Sequence, residues 1–453
     1  MGVITLEQAA QWCGGRIDPK YAQVSFLGAN NDTRKIRPGQ LFVALKGQRD
    51  GHNFVTAALQ SGAAAVLCSQ EVGDVPAILV EDTRKALGDI ARAERQRIGM
   101  KVVGITGSVG KSTTKEMIAD VLGKAYRVSK TPANHNNDIG MPMAILGMSE
   151  DTQVAVLEMG MNHFREIAYL TDIARPDVAV ITNIGTMHIE HLGSQQGILQ
   201  AKLEILEGMA EGGKLLLNGD DALLWNLRRQ ENVSVTYVGI QNPECDYQAM
   251  DIVQQPEQLT FRTKMAQGEL DFDLSLEGVH YVYDALSAIG VGVELGVSLK
   301  DIQDSLAVFR NMEGRQEIFE AKGCKIIKDC YNAGPESMAA ALAVLANQPG
   351  RHVAVLGDML ELGVRSPAEH YRLGRITAEK AEVLLAFGPN SSRTVSGALT
   401  GGMPPSQARA FEDKAACAMA MKRMIKPGDV VLVKGSRGMR MEQILDQFLK
   451  EDT

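Results

Sequence analysis

Val102-Val-Gly-Ile-Thr-Gly-Ser-Val-Gly-Lys-Ser-Thr113 sets a short β-branched run before a glycine-punctuated turn and the start of a helix-period stretch. The run Val102–Thr106 reads as a strand buried on both faces. Met117, Ile118, Val121, Leu122 and Ala125 then fall on one face of a helix. Strand, glycine turn and helix in that order let backbone N–H groups and a helix N-terminus converge on phosphate oxygens. In such a loop Gly107, Ser108, Val109, Gly110, Lys111, Ser112 and Thr113 surround the anion, with Lys111 reaching the β/γ-phosphates and Ser112 or Thr113 holding Mg2+. The strict G-x-x-x-x-G-K-[ST] pattern is not met, because Ile105 stands at its first glycine; the glycines fall at Gly104, Gly107 and Gly110.

Further apolar, β-branched runs recur at Val154–Leu157, Val178–Ile181, Val353–Leu356 and Val430–Val433, each followed by a glycine or polar cluster. This alternation predicts βαβ units, hence an α/β fold with mostly parallel sheets. Ligands of such sheets bind at the carboxyl ends of the strands. Glu158, Thr182-Asn183, Gly357-Asp358 and Lys434-Gly435-Ser436 stand at those ends, which predicts one cleft near residues 104–190 and another near 329–437 that face each other. Boundaries at Ile98–Lys101 and Val308–Arg315 predict three domains, 1–98, 99–310 and 311–453.

The 453 residues suffice for several cores, and 45% hydrophobic with 23% charged residues is the balance of a folded globular chain. Lys and Arg total 47 against 55 Asp and Glu, a net charge of −8, without the basic excess of a nucleic-acid binder. An anionic ligand must therefore be held by local groups. Six cysteines without a C-x-x-C pair fit reduced thiols rather than a zinc ribbon or disulfide framework. Met1 to Glu7 lacks a basic n-region, and no apolar run approaches the ~20 residues of a membrane helix, so a cytoplasmic protein without membrane insertion is expected. A monomer is the default expectation.

Glu158, placed by its strand at the edge that carries the loop, offers a hard oxygen for Mg2+. His188 and His191 lie in Thr182-Asn-Ile-Gly-Thr-Met-His-Ile-Glu-His-Leu-Gly-Ser194, another strand-end segment. Lys202, on a helix-period stretch, and Arg315 read as solvated surface cations on spacing alone.

The chain resembles the Mur ligase family of ATP-dependent peptidoglycan-precursor ligases along essentially its whole length. The resemblance rests on Asp32-Thr-Arg-Lys35, Pro38–Gly47, Gly107–Thr113, Asn136–Pro142, Thr182–Ser194, Ala201-Lys202, Gly314-Arg315, Tyr331–Pro335, Leu356–Gly363 and Lys434–Glu442. It implies a small N-terminal α/β domain gripping a UDP-sugar peptide, a central P-loop ATPase domain and a C-terminal Rossmann-like domain that delivers an amine. The last two blocks are similar to the family member that adds D-alanyl-D-alanine to UDP-N-acetylmuramoyl-tripeptide. By the resemblance, Lys111, Glu158, His188 and Lys202 are catalytic, and Ser112, Glu158, His188 and a carbamylated Lys202 hold Mg2+. Asp284, Arg315, Asp329 and Asn332 join the loop in binding ATP, with Arg315 toward phosphate and Asp329 toward ribose. Thr33, Arg34, Lys46, Asn136 and Asn137 face the UDP-sugar substrate.

Two departures stand out. Where the family commonly shows His-Asn-x-x-Asn near the adenine, this chain has His280-Tyr-Val-Tyr-Asp284, and an ionised Asp can only accept hydrogen bonds. Tyr-Asn-Ala-Asn-Pro becomes Tyr331-Asn-Ala-Gly334-Pro335, which removes an amide from the interdomain cleft. These departures motivate one competing reading, a non-catalytic relative that binds a nucleotide-sugar or a wall-synthesis partner, against which the intact Lys111, Glu158, His188 and Lys202 argue. Another is a family ligase for a different amino acid, against which Leu356–Gly363 and Lys434–Glu442 favour the dipeptide-adding member.

Overall fold

A computed structural model describes residues 2–229, 234–255 and 258–450. Met1, where the segment read for a signal begins, lies outside the described residues. Among the described residues the strands form four sheets. Ile4–Thr5 and Ser25–Phe26 pair antiparallel, and Ala29–Asn30, Leu41–Val43, Ala65–Cys68 and Ala77–Leu79 form a parallel sheet in chain order.

The central sheet has nine strands. Lys101–Thr106 lies inside it, between Val178–Ile181 and Val154–Glu158, with parallel pairing on both sides. The carboxyl ends of three buried strands thus open on one edge, where the order departs from chain order. Val128–Lys130 closes one flank, and Lys214–Asn218 and Ser234–Gly239 extend the other in parallel. Beyond them Tyr247–Gln255, Gln258–Met265 and Gly268–Leu274 form an antiparallel meander that no apolar run announced.

Alternate residues of the central strands enter two cores. Val102, Leu157 and Ala179 pack into a core that continues through Leu87 and Ile90 to Leu41 and Phe26 of the N-terminal sheets. Val103, Ile105, Val156 and Val180 face a second core with Met117, Val121 and Leu286. Burial on both faces accounts for the near-continuous Val/Ile composition of these strands. Gly104 fits for a steric reason: a Cβ there would lie 2.8 Å from Pro176 Cγ.

The helix after the loop runs Lys111–Leu122, so Met117, Ile118, Val121 and Leu122 are buried as expected, whereas Ala125 lies beyond its end and is exposed. The chain turns at Gly123 before the fifth predicted position can join the face.

The last sheet takes the order Glu317–Ala321, Cys324–Asp329, Asp429–Lys434, Arg351–Gly357, Val383–Phe387, Ala408–Phe411. Only its first pair is antiparallel. Its edge formed by Asp329, Lys434 and Gly357 faces the central sheet's loop edge, and the two predicted clefts become walls of one cavity of about 1270 Å³.

Candidate active site

Gly107 and Gly110 give the loop its shape. Both have positive φ, 148° and 90°. A Cβ at Gly107 would collide with the Thr182 hydroxyl, and one at Gly110 would lie 2.8 Å from Asp284 Oδ1. Asn183 buttresses the turn: its carbonyl accepts from Ser108 N–H and its Oδ1 from Val109 N–H, each at 3.0 Å, while Thr182 Oγ1 donates to the Val109 carbonyl at 2.6 Å. In this arrangement the amides of Ser108 and Val109 hold the loop together rather than standing free for an anion. Thr114 N–H makes the first helical bond, to Gly110 O, so the amides of the first helical turn before it form the anion-facing N-terminus.

Lys111 opens the helix and donates through Nζ to the carbonyls of Gly107 and Ser108 at 2.8 and 3.3 Å. Burial pushes its pKa down, with the Glu158 charge opposing and Arg315 assisting. Ser112 Oγ donates to Glu158 Oε2 at 2.8 Å and accepts from Arg315 Nη2 at 2.8 Å. Asn136 Nδ2 donates to Glu158 Oε1 at 2.9 Å. Hydroxyl, carboxylate, amide and guanidinium thus form one chain, with Glu158 only 3% exposed. The Arg315 guanidinium also stacks 4.0 Å from the Tyr331 ring centroid.

Lys202 differs most from a solvated lysine. It is 2% exposed on the helix Gln195–Leu203, and its side chain makes no hydrogen bond among the described residues. Burial, then the neighbouring Lys111 charge, pushes its pKa well below the ordinary lysine value. His188 has left-handed backbone, φ 63°, and its Nδ1 lies 2.6 Å from Glu361 of the C-terminal sheet's loop but out of line for a hydrogen bond. Among the described residues no three His, Cys, Asp or Glu side chains converge on a metal position. The paired Ser112 hydroxyl and Glu158 carboxylate nevertheless fit Mg2+, which takes one or two protein oxygens and completes its shell from phosphates and water.

Three stretches of the chain are similar to Mur ligase domain families: the Mur ligase family catalytic domain over 24–95, the Mur ligase middle domain over 105–292, and the Mur ligase glutamate ligase domain over 314–437. The chain is 39% identical to the UDP-N-acetylmuramoyl-tripeptide--D-alanyl-D-alanine ligase of Bacillus subtilis, with 98% of each covered. Its identity to the Escherichia coli ligase of the same name is 36%, with 99% of each covered. The chain belongs to the Mur ligase family. Among solved structures, MurF from Acinetobacter baumannii matches this Mur ligase with a TM-score of 0.92 and 32% identity over 100% of both chains. The MurF ligase of Thermotoga maritima in complex with ADP matches at 0.83 and 30%, covering 94% of this chain and 97% of that one.

In this Mur ligase the cavity gathers Ser108 to Thr113, Asn136, Asn137, Glu158, His188, Lys202, Asp284, Arg315, Asp329 and Asn332. Asn137 also spends its Oδ1 on the Ile139 and Gly140 amides. Thr33, Arg34 and Lys46 stand outside the cavity lining. Arg34 is held in a fork by Asp32, at 2.9 and 2.8 Å, and Lys46 is exposed. Asp329 accepts from Lys434 Nζ at 2.5 Å, and Asn332 O from the same ammonium at 3.1 Å.

Asp284 changes character. Its Oδ1 accepts from Thr114 Oγ1 at 2.7 Å, and burial pushes its pKa up to about 7. Burial thus favours the protonated carboxyl, which can donate, over the fixed acceptor expected from sequence. Sequence reasoning missed Asn183, Glu336 and Lys434 as organising groups. Glu336 Oε1 accepts from both Thr186 N–H and Thr186 Oγ1 at 3.0 Å and so ties the two walls together. Their signal was only adjacency to motifs already read, since strand-end polar residues share one edge.

Proposed function

We propose that this Mur ligase joins D-alanyl-D-alanine to UDP-N-acetylmuramoyl-tripeptide with cleavage of ATP to ADP and phosphate, in cytoplasmic peptidoglycan-precursor synthesis. Full-length similarity to ligases of that name supports the substrates. The observation that carries the chemistry is the chain Arg315–Ser112–Glu158 beside Lys111, which joins residues of both walls at one phosphate-binding loop.

The tripeptide's terminal carboxylate oxygen attacks the γ-phosphorus, the bond to the β-phosphate oxygen breaks, and ADP leaves. Lys111 and the helix N-terminus stabilise charge on the transferring phosphoryl group. Arg315 exchanges its bond to Ser112 for a phosphate oxygen. The dipeptide amine then attacks the acyl phosphate carbon, and the tetrahedral adduct collapses to the amide as phosphate departs and the amine proton is lost to solvent. A bound Mg2+ would supply positive charge that stabilises the transferring phosphoryl group. Ser112, Glu158, His188 and a carbamylated Lys202 would hold it. Residues 1–98 grip the UDP-sugar peptide, 99–310 bind ATP, and 311–453 deliver the amine and complete the nucleotide site on closure. Asp284, Asp329 and Asn332 contact the nucleoside, while Asn136 and Asn137, with Thr33, Arg34 and Lys46 farther out, serve the UDP-sugar.

The test is phosphate release with Mg2+, ATP and both substrates, each omitted in turn, with the product weighed by mass spectrometry. Release that needs both substrates and yields the pentapeptide mass is expected. Tight UDP-sugar binding without release would refute the ligase.

A further inference from the structure

The incoming dipeptide carries a carboxylate at the far end from its attacking amine, and an extended dipeptide spans about 7 Å. That carboxylate needs a cation not already engaged with the phosphates. On the C-terminal wall the cavity is lined by three cations, Arg315, Lys434 and Arg437. Arg315 is committed to Ser112 and the Tyr331 ring, and Lys434 to Asp329 and the Asn332 carbonyl. On the opposite wall Arg84 is paired with Asp138 and Arg165 with Glu207. The Arg437 guanidinium makes no hydrogen bond among the described residues. Its one charged neighbour, Glu442, stands 3.7 Å away, and its side chain is 70% exposed.

The backbone beneath Arg437 is fixed. Ser436 Oγ donates to the Ala333 carbonyl at 3.1 Å and accepts from Leu360 N–H at 2.9 Å, and Ser436 N–H donates to the Asp358 carbonyl at 3.1 Å. Ala333 leads into the helix Pro335–Ala346, whose Glu336 bonds Thr186 on the loop that bears His188. Arg437 is therefore held in register with the reacting end of the cavity, while its guanidinium meets only Glu442, at 3.7 Å and without a hydrogen bond. We propose that Arg437 binds the C-terminal carboxylate of the incoming dipeptide and so selects a dipeptide that ends in a free acid. A guanidinium fork matches a carboxylate in two parallel bonds, which an ammonium cannot do.

This rests on the dipeptide-ligase reading, and the experiment separates the two. Amide formation is measured with D-alanyl-D-alanine and with its C-terminal carboxamide, for wild type, Arg437→Ala and Arg437→Lys. With the free acid, Arg437→Ala is expected to raise the dipeptide KM about tenfold or more, as the loss of a charged hydrogen bond requires, with the KM for ATP unchanged and Arg437→Lys in between. With the carboxamide, wild type and Arg437→Ala should be equally poor. An equal loss on acid and carboxamide, or a loss that falls on ATP or the UDP-sugar, overturns the assignment. If Arg437→Ala is too slow for a KM, the same acid-to-carboxamide ratio is read from Arg437→Lys, where a wild-type ratio overturns it. Wild type that makes no amide at all refutes the ligase reading and the assignment with it.

Discussion

Asp284 and Lys202 are both buried ionisable groups in one cavity, and they answer to different physics. Asp284 is 6% exposed, and burial raises its pKa to about 7 against the partial relief given by Thr114 and Arg315. Because the folded pKa lies above the unfolded one, the folded state holds a proton between about pH 4 and 7 that the unfolded chain has released. Stability from this site is full below pH 4 and is lost as pH rises to 7, by up to about 4 kcal/mol. Asp284→Asn removes the titration, so urea unfolding should show the variant gaining on wild type at pH 8 and little difference at pH 5. Equal pH profiles would mean the carboxyl stays hydrated. Burial, and then the Lys111 charge, push the Lys202 pKa well below the ordinary lysine value, the direction that the carbamate proposed for it requires, since only an unprotonated amine adds to CO2. Lys202→Ala should cut turnover by about 100-fold; added bicarbonate should not restore it, whereas a short carboxylic acid restores part. Full activity in Lys202→Ala would refute the carbamate role.

At the scale of elements, the strands that build the site were legible because they are buried on both faces and end in chemistry. Val178–Ile181 has the expected bounds, and Val154–Leu157 gains only Glu158, the residue that matters. The meander of residues 247–274 was not legible: Tyr247–Gln255 has one face in water, and its Gln and Asp positions dilute the apolar signal. The N-terminal strands of two or three residues are too short for any period to show. Helix entry is where Gly334 acquires a reason. It caps Pro335–Ala346 with ordinary extended backbone, φ −148°, yet a Cβ there would lie 2.8 Å from Met187 Cγ. Met187 sits between Thr186, bonded to Glu336, and His188, so a push on it displaces the loop that carries the proposed His188. Gly334→Asn, although Asn is a good cap, should lower kcat about 10–100-fold with little change in melting, and adding Met187→Ala should restore most of it. A fully active Gly334→Asn would show that this contact has slack.

At the scale of the whole molecule, what the sequence could not convey is which distant residues meet. Arg315 and Ser112 are 203 positions apart, and Glu336 and Thr186 150; motif spacing carries no such information. The same holds for a buried polar cluster outside the main cavity, where the central and C-terminal sheets also touch. Lys325 Nζ lies 3.2 Å from Glu277 Oε1 and 2.7 Å from Gln348 Oε1, and Gln348 Nε2 and the Glu277 carboxylate are bonded to each other. The Glu277 side chain is 3% exposed, so its charge is compensated by protein rather than by water. Removing only the cation takes the compensating positive charge from the Glu277 carboxylate while its bond from Gln348 remains, and breaking a buried pair costs about 3–5 kcal/mol. Replacing both partners by uncharged groups of similar size removes the desolvation penalty as well and is close to neutral. Lys325→Met should therefore lower the urea midpoint of the transition that separates the two sheets, while Glu277→Gln with Lys325→Met should return it near wild type. The Ser112–Arg315 contact lies in the other cavity, so the double variant should keep the wild-type KM for ATP. A double variant no more stable than Lys325→Met would show that the charge on Glu277 is not what the lysine answers, and that the two sheets are held by packing and by the ties at the nucleotide edge alone.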